Sequence, residues 1–385
     1  MLRETVAELS LSALDHNMRQ VIGRVGERKI IAVVKANAYG HGAVTVARHL
    51  SRISLQGGSP HRGSRPKGVS PVAMLGVASL DEGIVLRKEG ITLPILLLTG
   101  CPVEGIGDLV RYNLTPALYD AKTLPRLSHY AKKRGCKIAV HVKVDTGMGR
   151  LGVSMEEAVS FIQKVSGEGI AVEGLFSHFA DADLADLSYA RLQLTRLKKI
   201  AKTLKKTQPS LPSCHLANSA AIINFAPAHL DFVRPGLMLY GYSSLQKKSP
   251  VRLLPVLTVK SRVISLKEVP AGTTISYGRT FVTKRVTKVA GVAIGYADGY
   301  PRSLSNVGVM IAKGKRVPVI GRVCMDMTLL DVTAASDLAV GDWVTVIGQE
   351  GNQAIWADEL AQKANTIVYE ILCGMNERIP KVYLS

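Results

Sequence analysis

A lysine at the end of an apolar strand is the clearest candidate for chemistry in this sequence. Lys35 closes the run 31-IAVVK-35, and the glycine-rich stretch 36-ANAYGHG-42 follows it directly. Partial burial at such a position lowers the pKa of a lysine and makes its amine a usable nucleophile. The alternative is a lysine whose charged end reaches out into water. Both readings place its amine at the strand's carboxyl end.

A second polar group lies on a strand with period-two alternation, 140-VHVKVDTGMGR-150. His141, Lys143 and Asp145 share one face of this strand, and three valines take the other face. Buried polar side chains need partners, so this face is a candidate part of a site. For Lys143 taken by itself, a salt bridge to Asp145 is the simple alternative.

Repeated strand-helix units must position these residues. Short apolar runs alternate with amphipathic stretches from about residue 28 to 240, which predicts a parallel sheet. The strand runs are 30–34, 72–77, 94–98, 138–144 and 171–176, and the helical stretches are about 79–89, 121–134, 154–167 and 184–206. Their number fits a closed (β/α)8 TIM-type barrel, with active residues at the carboxyl ends of its strands. An open doubly wound sheet is the alternative, but no GxGxxG follows the first strand.

The pattern of apolar runs changes after residue 240. A basic segment with two prolines, 245–255, precedes short β-rich runs punctuated by Gly and Pro, which predict a mostly antiparallel β domain. We therefore predict a barrel over 1–240 and a β domain over 241–385. The Gly, Ser and Pro-rich stretch 55–71 reads as an inserted surface loop.

Composition narrows the function classes. The chain of 385 residues has a net charge of +19 and only 5% aromatic residues. The basic residues of 58–68 and 196–206 lack the interleaved aromatics of a nucleic-acid platform, so a solvated basic surface is favoured over a nucleic-acid site. The five cysteines are scattered without a CxxC, which predicts no disulfide framework, no metal site and a reducing cytoplasm. The sequence contains no run of about 20 apolar residues, so no membrane-spanning helix is predicted.

The string 34-VKANAYGHG-42 closely resembles the cofactor-lysine signature of the alanine racemases, and further blocks follow in that family's order. They are 143-KVDTGMGRLG-152, 174-GLFSHFA-180, 215-HLANSAA-221, 233-VRPGLMLYG-241, 274-TISYGRT-280, 295-GYADGYPR-302 and 321-GRVCMDM-327. The family consists of homodimeric enzymes that bind pyridoxal phosphate (PLP) in a (β/α)8 barrel followed by a β domain. The resemblance implies interconversion of L-alanine and D-alanine, the latter for cell-wall peptidoglycan.

The resemblance also implies how the cofactor is held. Lys35 would hold PLP as an internal aldimine, and Tyr39 and Ser219 would reach its phosphate. The backbone N–H groups of Gly236 and Leu237 would surround the same phosphate, where glycine permits close approach.

Four further residues match positions around the cofactor ring. Arg234 would face the pyridine nitrogen and donate to it without delivering a proton, and His178 would lie behind this arginine. The lysine matching Lys143 is often carbamylated in the family. The resulting anion would hold Arg150, which would contact the cofactor's phenolic oxygen and the substrate carboxylate.

The β domain would supply the rest of the site. Tyr277 matches the second catalytic base, so that Lys35 would exchange the proton on the D side of Cα and Tyr277 the proton on the L side. Met325 would contact the substrate through its main chain. Tyr296 and Tyr300 would line the entrance. In the family the lysine and the tyrosine meet across the dimer interface.

One residue departs from the family's pattern, and two alternative functions remain open. Glu377 occupies the position at which we expect a phosphate-binding tyrosine in many members, and a carboxylate is unfavourable there. A racemase of broader range, for example acting on serine, is one alternative, because a small pocket discriminates weakly against one hydroxyl. A PLP-dependent decarboxylase of the same architecture is another, although SYGRT and GRVCMDM fit a racemase better.

Overall fold

The structure is a computed structural model that describes residues 4–53, 71–135, 137–207, 212–245 and 249–385. The predicted insertion at 55–71 lies outside the described residues except for Pro71.

Eight parallel strands close into a barrel, which confirms the fold class expected from the alternating pattern. The barrel strands are β2 (Lys29–Val33), β3 (Val72–Val77), β4 (Ile95–Leu97), β5 (Thr115–Leu118), β6 (Ile138–Lys143), β7 (Ile170–Phe176), β8 (Ser213–His215) and β9 (Phe232–Val233). Each strand pairs with the next, and β9 closes the ring onto β2 through Ile30 and Val233. The strands are rich in Val, Ile and Leu because helices cover them from outside.

Helices follow most barrel strands. The helices of this part of the chain are α1 (Leu11–Val25), the single turn α2 (Lys35–Tyr39), α3 (Ala43–Arg52), α4 (Leu80–Lys88), α5 (Ile106–Arg111), α6 (Leu124–Arg134), α7 (Ala158–Gly167), α8 (Ser188–Thr207) and α9 (Ser219–Asn224). Helix α4 begins with a capping box in which Ser79 and Glu82 satisfy each other's backbone N–H groups. On α8, Leu197, Ile200 and Leu204 are buried, so its lysines face outward as predicted.

The inside of the barrel is part apolar and part polar. Ile31, Met74, Leu96 and Phe232 form a small apolar cluster of their own. The ring of His215 stacks on Phe176 with centroids 4.6 Å apart and meets Phe232 edge-on. Polar side chains thus replace apolar ones in the barrel interior near β6, β7 and β8.

A nine-stranded, mostly antiparallel sheet forms the rest of the chain, as the sequence predicts. Its central strand is the long β10 (Leu257–Val269), which pairs with strands on both sides. The later strands are β11 (Thr274–Ile275) and β12 (Phe281–Val282), which form a separate two-stranded sheet, and then β13 (Thr287–Val292), β14 (Val309–Ala312), β15 (Lys315–Pro318), β16 (Thr328–Asp331), β17 (Trp343–Glu350), β18 (Gln353–Ile355) and β19 (Lys381–Leu384). Two helices, α10 (Ala357–Ala364) and α11 (Val368–Gly374), precede β19.

The first strand of the chain belongs to this second sheet. Strand β1 (Thr5–Ser10) pairs antiparallel with β10, with Ala7 opposite Val259, and parallel with β19. The predicted division at residue 240 does not accommodate this strand, and where the domains divide stays a prediction.

Among the helices of the described ranges, none is both long enough and apolar enough to cross a membrane.

Candidate active site

Lys35 stands where β2 gives way to the turn α2, at the carboxyl end of the barrel strands. Burial lowers the pKa of its amine from the usual value, the nearby Arg150 lowers it further, and Glu82 partly opposes both. A lysine with a lowered pKa is neutral more often near pH 7 and is a better nucleophile and base. The structure thus favours the chemical reading of Lys35 over the solvent-exposed one.

The turn after Lys35 is left-handed. Four consecutive residues that are not glycine, Ala36 to Tyr39, have φ between 51° and 54°. For such residues this conformation costs roughly 1–2 kcal/mol each, so the surrounding structure must hold it. The imidazole of His41 donates from Nδ1 to the carbonyls of Ala38 and Tyr39, at 3.0 and 2.8 Å. The side chain of Asn37 accepts the N–H of Ala43 at 2.7 Å.

A polar pocket lies beside this turn. Ser219, at the start of α9, accepts the N–H groups of Gly236 and Met238 at 2.9 and 3.3 Å and keeps its own proton to donate. A Cβ on Gly236 would collide with the hydroxyl of Tyr39, so only glycine lets the backbone lie this close to that hydroxyl. Tyr39, Ser219 and Gly236 are therefore gathered at one place, as the sequence predicted, and Leu237 adjoins them. These donors and the bare backbone suit a phosphate.

A tyrosine that was not predicted also lies at this pocket. Tyr369 on α11 packs its ring against Tyr39, with centroids 5.9 Å apart, and burial raises the pKa of its hydroxyl. Glu377 is exposed. Burial lowers the pKa of Lys381, and the charge of Glu377 partly opposes this lowering. The tyrosine expected at 377 thus has a counterpart eight residues earlier, in 369-YEILC-373. An alignment that placed this tyrosine at the expected position, rather than Glu377, would have found it.

Arg234 is buried behind the pocket in a chain of side-chain hydrogen bonds. Its Nη1 lies 2.7 Å from Nδ1 of His215, and Nε2 of His215 lies 2.8 Å from Nδ1 of His141. A guanidinium only donates, so His215 must accept at Nδ1 and donate from Nε2 to His141. Burial, and then Arg234, lower the pKa of both histidines, that of His141 to about 4. Both rings are therefore neutral, each as the tautomer protonated at Nε2.

His178, the histidine predicted to lie behind Arg234, is a more distant neighbour. Its Nδ1 lies 3.3 Å from Nη2 of Arg234, and that Nη2 also donates to the carbonyls of Ser177 and Leu216, at 2.8 and 3.0 Å. His215 makes the shorter imidazole contact and was not predicted, although it opens the block 215-HLANSAA-221. Burial, and then Arg234, hold the pKa of His178 well below its usual value.

Lys143 is buried among other cations. Burial and its neighbours Arg234, Arg150 and Lys35 lower the pKa of Lys143 to about 8. Asp145 does not neutralise it, because its carboxylate accepts the N–H groups of residues 147–149 and is paired with no lysine in the described ion pairs. The salt-bridge reading of Lys143 is therefore wrong, and the lowered pKa makes a minor fraction of the amine neutral near pH 7.

The candidate residues of the second domain lie on its surface. The side chain of Tyr277 is 70% exposed and that of Met325 is 53% exposed. Within the described part of this single chain, no hydrogen bond or ring contact joins Tyr277 to the barrel residues. The carbonyl of Met325 accepts the N–H of Ala297 at 3.0 Å, so the N–H of Met325 is the main-chain group left to consider for substrate.

The two predicted entrance tyrosines differ. Tyr296 is 42% exposed near Met325, and its N–H donates to the carbonyl of Cys324 at 3.0 Å. Tyr300 is fully buried, and a Cβ on Gly308 would press on its hydroxyl. The structure leaves Tyr300 no surface with which to line an entrance, because its ring fills the core of the second domain.

Known proteins of one family resemble this chain, and the similarity covers nearly the whole chain. The family model described as alanine racemase, N-terminal domain, matches residues 9–57 and 69–244, and the model of the C-terminal domain matches 256–383. The alanine racemase of Halothermothrix orenii is 44% identical over 384 residues, 99% of this chain and 97% of that protein. Alanine racemase 2 of Caldanaerobacter subterraneus subsp. tengcongensis is 42% identical over 389 residues, covering 100% of this chain and 95% of that protein.

Solved structures extend the likeness to three dimensions. An alanine racemase of Clostridium difficile 630 superposes with a TM-score of 0.90 at 35% identity, covering 100% of this chain and 96% of the other. An alanine racemase of Bartonella henselae with covalently bound pyridoxal phosphate has a TM-score of 0.85 at 28% identity, covering 99% of each chain.

Proposed function

This chain belongs to the alanine racemase family, and from that membership we propose how its own residues interconvert L-alanine and D-alanine. The activity is that of a PLP-dependent isomerase. The observation that carries the assignment of roles is the gathering of Lys35, Arg150 and Arg234 at the end of the barrel that also holds the pocket of Tyr39 and Ser219.

The residues present fit PLP. The donors of Ser219 and Tyr39 and the bare backbone at Gly236 suit its phosphate, and the buried Arg234 suits its ring nitrogen. Lys35 offers an amine of lowered pKa for covalent attachment. When bound, PLP supplies an electron sink that makes the Cα–H bond of an attached amino acid acidic.

Arg234 tunes that sink by donating without protonating. A guanidinium keeps its protons in a protein, and the neutral His215 behind it accepts from Nη1. Arg234 would therefore offer the ring nitrogen of bound PLP a hydrogen bond rather than a proton. This would limit the delocalisation of negative charge and favour rapid return of a proton to Cα over side reactions.

Two groups on opposite faces of the substrate move the proton. Lys35 takes or returns it on the D side, and Tyr277, contributed by the partner in a homodimer, does so on the L side. The main-chain N–H of Met325 and the guanidinium of Arg150 orient the substrate carboxylate. The exposed positions of Tyr277 and Met325 support this arrangement, because they leave both side chains free to be covered by a second chain.

We further propose that Lys143 is carbamylated. Its pKa of about 8 leaves a fraction of neutral amine whose nitrogen can bond to the carbon of carbon dioxide and release a proton to solvent, and the product is an anion within a group of cations. That anion would hold Arg150 in place and offset the charges of Arg234 and Lys35. The remaining parts of the proposal are a cytoplasmic location and a supply of D-alanine for peptidoglycan.

The replacement Lys35→Ala tests the central assignment. We expect loss of the visible absorbance of covalently bound PLP and a severe loss of turnover, since one side chain is both anchor and base. The matched control is Lys198→Ala, an exposed lysine on α8, which should leave both unchanged. An unaltered cofactor spectrum in Lys35→Ala would show that another amine holds PLP.

A further inference from the structure

The residue that follows Lys35 is tied to the next barrel strand by one carboxylate. The Oε1 atom of Glu82 accepts the N–H of Ala36 at 2.7 Å. Its Oε2 atom accepts the N–H groups of Ala78 and Ser79, at 2.6 and 3.4 Å. Glu82 therefore spans two junctions, the one between β2 and the left-handed turn and the one between β3 and α4.

The two halves of the left-handed turn are held by different means. The far half is fixed by the hydrogen bonds of His41 and Asn37, and by close packing of Gly40 against the carbonyl of Leu372 on α11. At the near half, the backbone N–H of Ala36 has Glu82 as its hydrogen-bond acceptor. A residue that is not glycine returns readily from the left-handed to the right-handed region once the hydrogen bond that holds it is lost. The direction of the Lys35 side chain depends on this near half.

We propose that Glu82 is a positioning residue of the racemisation, which holds the left-handed turn so that the amine of Lys35 points at the reacting carbon. This inference rests on the role proposed for Lys35. Glu82 also forms the capping box of α4. That structural role uses only its Oε2 atom and its backbone N–H. The bond from Oε1 to Ala36 is additional, because it reaches 46 residues back along the chain to another strand end.

The electrostatic effect of Glu82 agrees with this placement. Its negative charge raises the pKa of Lys35, against the lowering by burial and by Arg150. The carboxylate thus lies close enough to the amine to influence it, while its oxygens are occupied by backbone N–H groups.

The decisive variant is Glu82→Gln, which keeps the length but has one acceptor oxygen, so it cannot serve both junctions. Two controls separate positioning from capping. Ser79→Ala removes the capping hydroxyl and leaves the bridge, and Asp81→Asn removes a neighbouring charge from the start of α4. Glu82→Asp is a further variant, whose charge is kept but whose reach to Ala36 is shortened.

We expect kcat of Glu82→Gln to fall about ten- to a hundredfold, the effect of losing one hydrogen bond to a charged group, with KM changed less than about threefold. Independently of activity, hydrogen exchange of the cofactor-free protein should accelerate in the segment 34–42. Covalent attachment of added PLP, followed by absorbance, should slow. Ser79→Ala and Asp81→Asn should match the wild type in all three measurements, and Glu82→Asp should follow Glu82→Gln.

If Glu82→Gln matches Ser79→Ala in kcat and in hydrogen exchange, Glu82 is only a helix cap and the inference is wrong. Failure of the role of Lys35 would look different. In that case Lys35→Ala would keep its cofactor spectrum, whereas the exchange of 34–42 would still report whether Glu82 holds the turn. If Glu82→Gln does not fold, Glu82→Asp decides between the two outcomes by the same measurements.

Discussion

At the scale of single residues, the site is defined by where its protons are. Arg234 can only donate, so His215 and His141 each have a single tautomer. Each hydrogen bond in this series is donated in the same direction, from Arg234 to His215 and from His215 to His141. Lys143 lies among like charges that favour its neutral form. Both features follow from the burial of polar groups with few partners, where each hydrogen bond restricts the next.

The variant His215→Phe tests the hydrogen bond behind Arg234. Phenylalanine keeps the stacking on Phe176 but leaves Nη1 without its acceptor, so we expect a loss of about 1.5–3 kcal/mol in the free energy of unfolding. PLP affinity should also fall. The control is His229→Phe, which removes contacts to two backbone carbonyls away from Arg234. Equal PLP affinity in the two variants would contradict a role for His215 in the site.

The lowered pKa of Lys143 predicts a dependence of stability on pH. Its value is about 8 in the folded protein and 10.5 when unperturbed. Between these values the unfolded chain holds the extra proton, so this lysine's contribution to stability rises with pH. Below about pH 8 its charge is a full penalty.

We therefore expect Lys143→Met to make the cofactor-free protein more stable than the wild type near pH 7, with a gain that shrinks towards pH 10.5. Urea unfolding in buffers free of carbon dioxide measures this. Lys198→Met, on the exposed side of α8, should show no such trend. A gain that is constant with pH would mean that Lys143 is not perturbed in the fold.

At the scale of elements, close backbone approaches decide where side chains can lie. The strand β7 passes His141 at Gly174, where a Cβ would overlap the imidazole ring. The pairing of β6 with β7 shifts register between Val140 and His141, at the same place. A small residue on one strand thus admits a histidine from its neighbour into the barrel.

The replacement Gly174→Ala should destabilise the protein by about 1–3 kcal/mol, as overpacking of a filled interior does. It should also weaken PLP binding, because the displaced His141 no longer accepts from His215. Gly167→Ala is the control, since nothing lies within 4 Å of a Cβ there, at the end of α7. Thermal unfolding and PLP titration of the two variants give the comparison. Equal stability of both would show that the ring moves aside without cost.

At the scale of the whole molecule, one chain carries both halves of the proposed site, and no described contact joins them. Lys35 stands at the barrel mouth, and Tyr277 is exposed on the second domain. Exposure of Tyr277, together with Met325 and Tyr296, is expected if a second copy covers that face. The proposed dimeric arrangement therefore makes a prediction about mixtures of chains.

Mixing Lys35→Ala with Tyr277→Phe should restore activity. Each variant alone should be nearly inactive, the second by the roughly 10²–10⁴-fold loss typical of one acid–base group, and it should still bind PLP. A heterodimer has one site with both residues intact and one site with neither. Activity should therefore rise with the amount of heterodimer, which can be followed by tagging one variant. No recovery after verified exchange of subunits would mean that the two bases do not meet between chains.

The sequence by itself determined most of the fold and supplied the candidate site residues. Alternation of apolar runs and amphipathic stretches depends on neighbours in the chain, so β2, β3, β4, β6 and β7 could be predicted from local pattern. Lys35, Tyr39, Ser219 and Gly236 stand in short strings whose residue types carry their chemistry. The strands β8 and β9 have no such pattern, because β8 (Ser213–His215) contains no run of aliphatic residues and β9 has only two residues.

Only the tertiary structure decided which distant residues meet. Strand β1 joins the second sheet because its partner Val259 lies some 250 residues further along the chain, a separation that no local pattern records. The same holds for Tyr369 against Tyr39, for His215 behind Arg234, and for Glu82 on the turn of Lys35. Each of these contacts depends on strand register and barrel closure, which fix directions in space. Residue type and spacing along the chain cannot supply those directions.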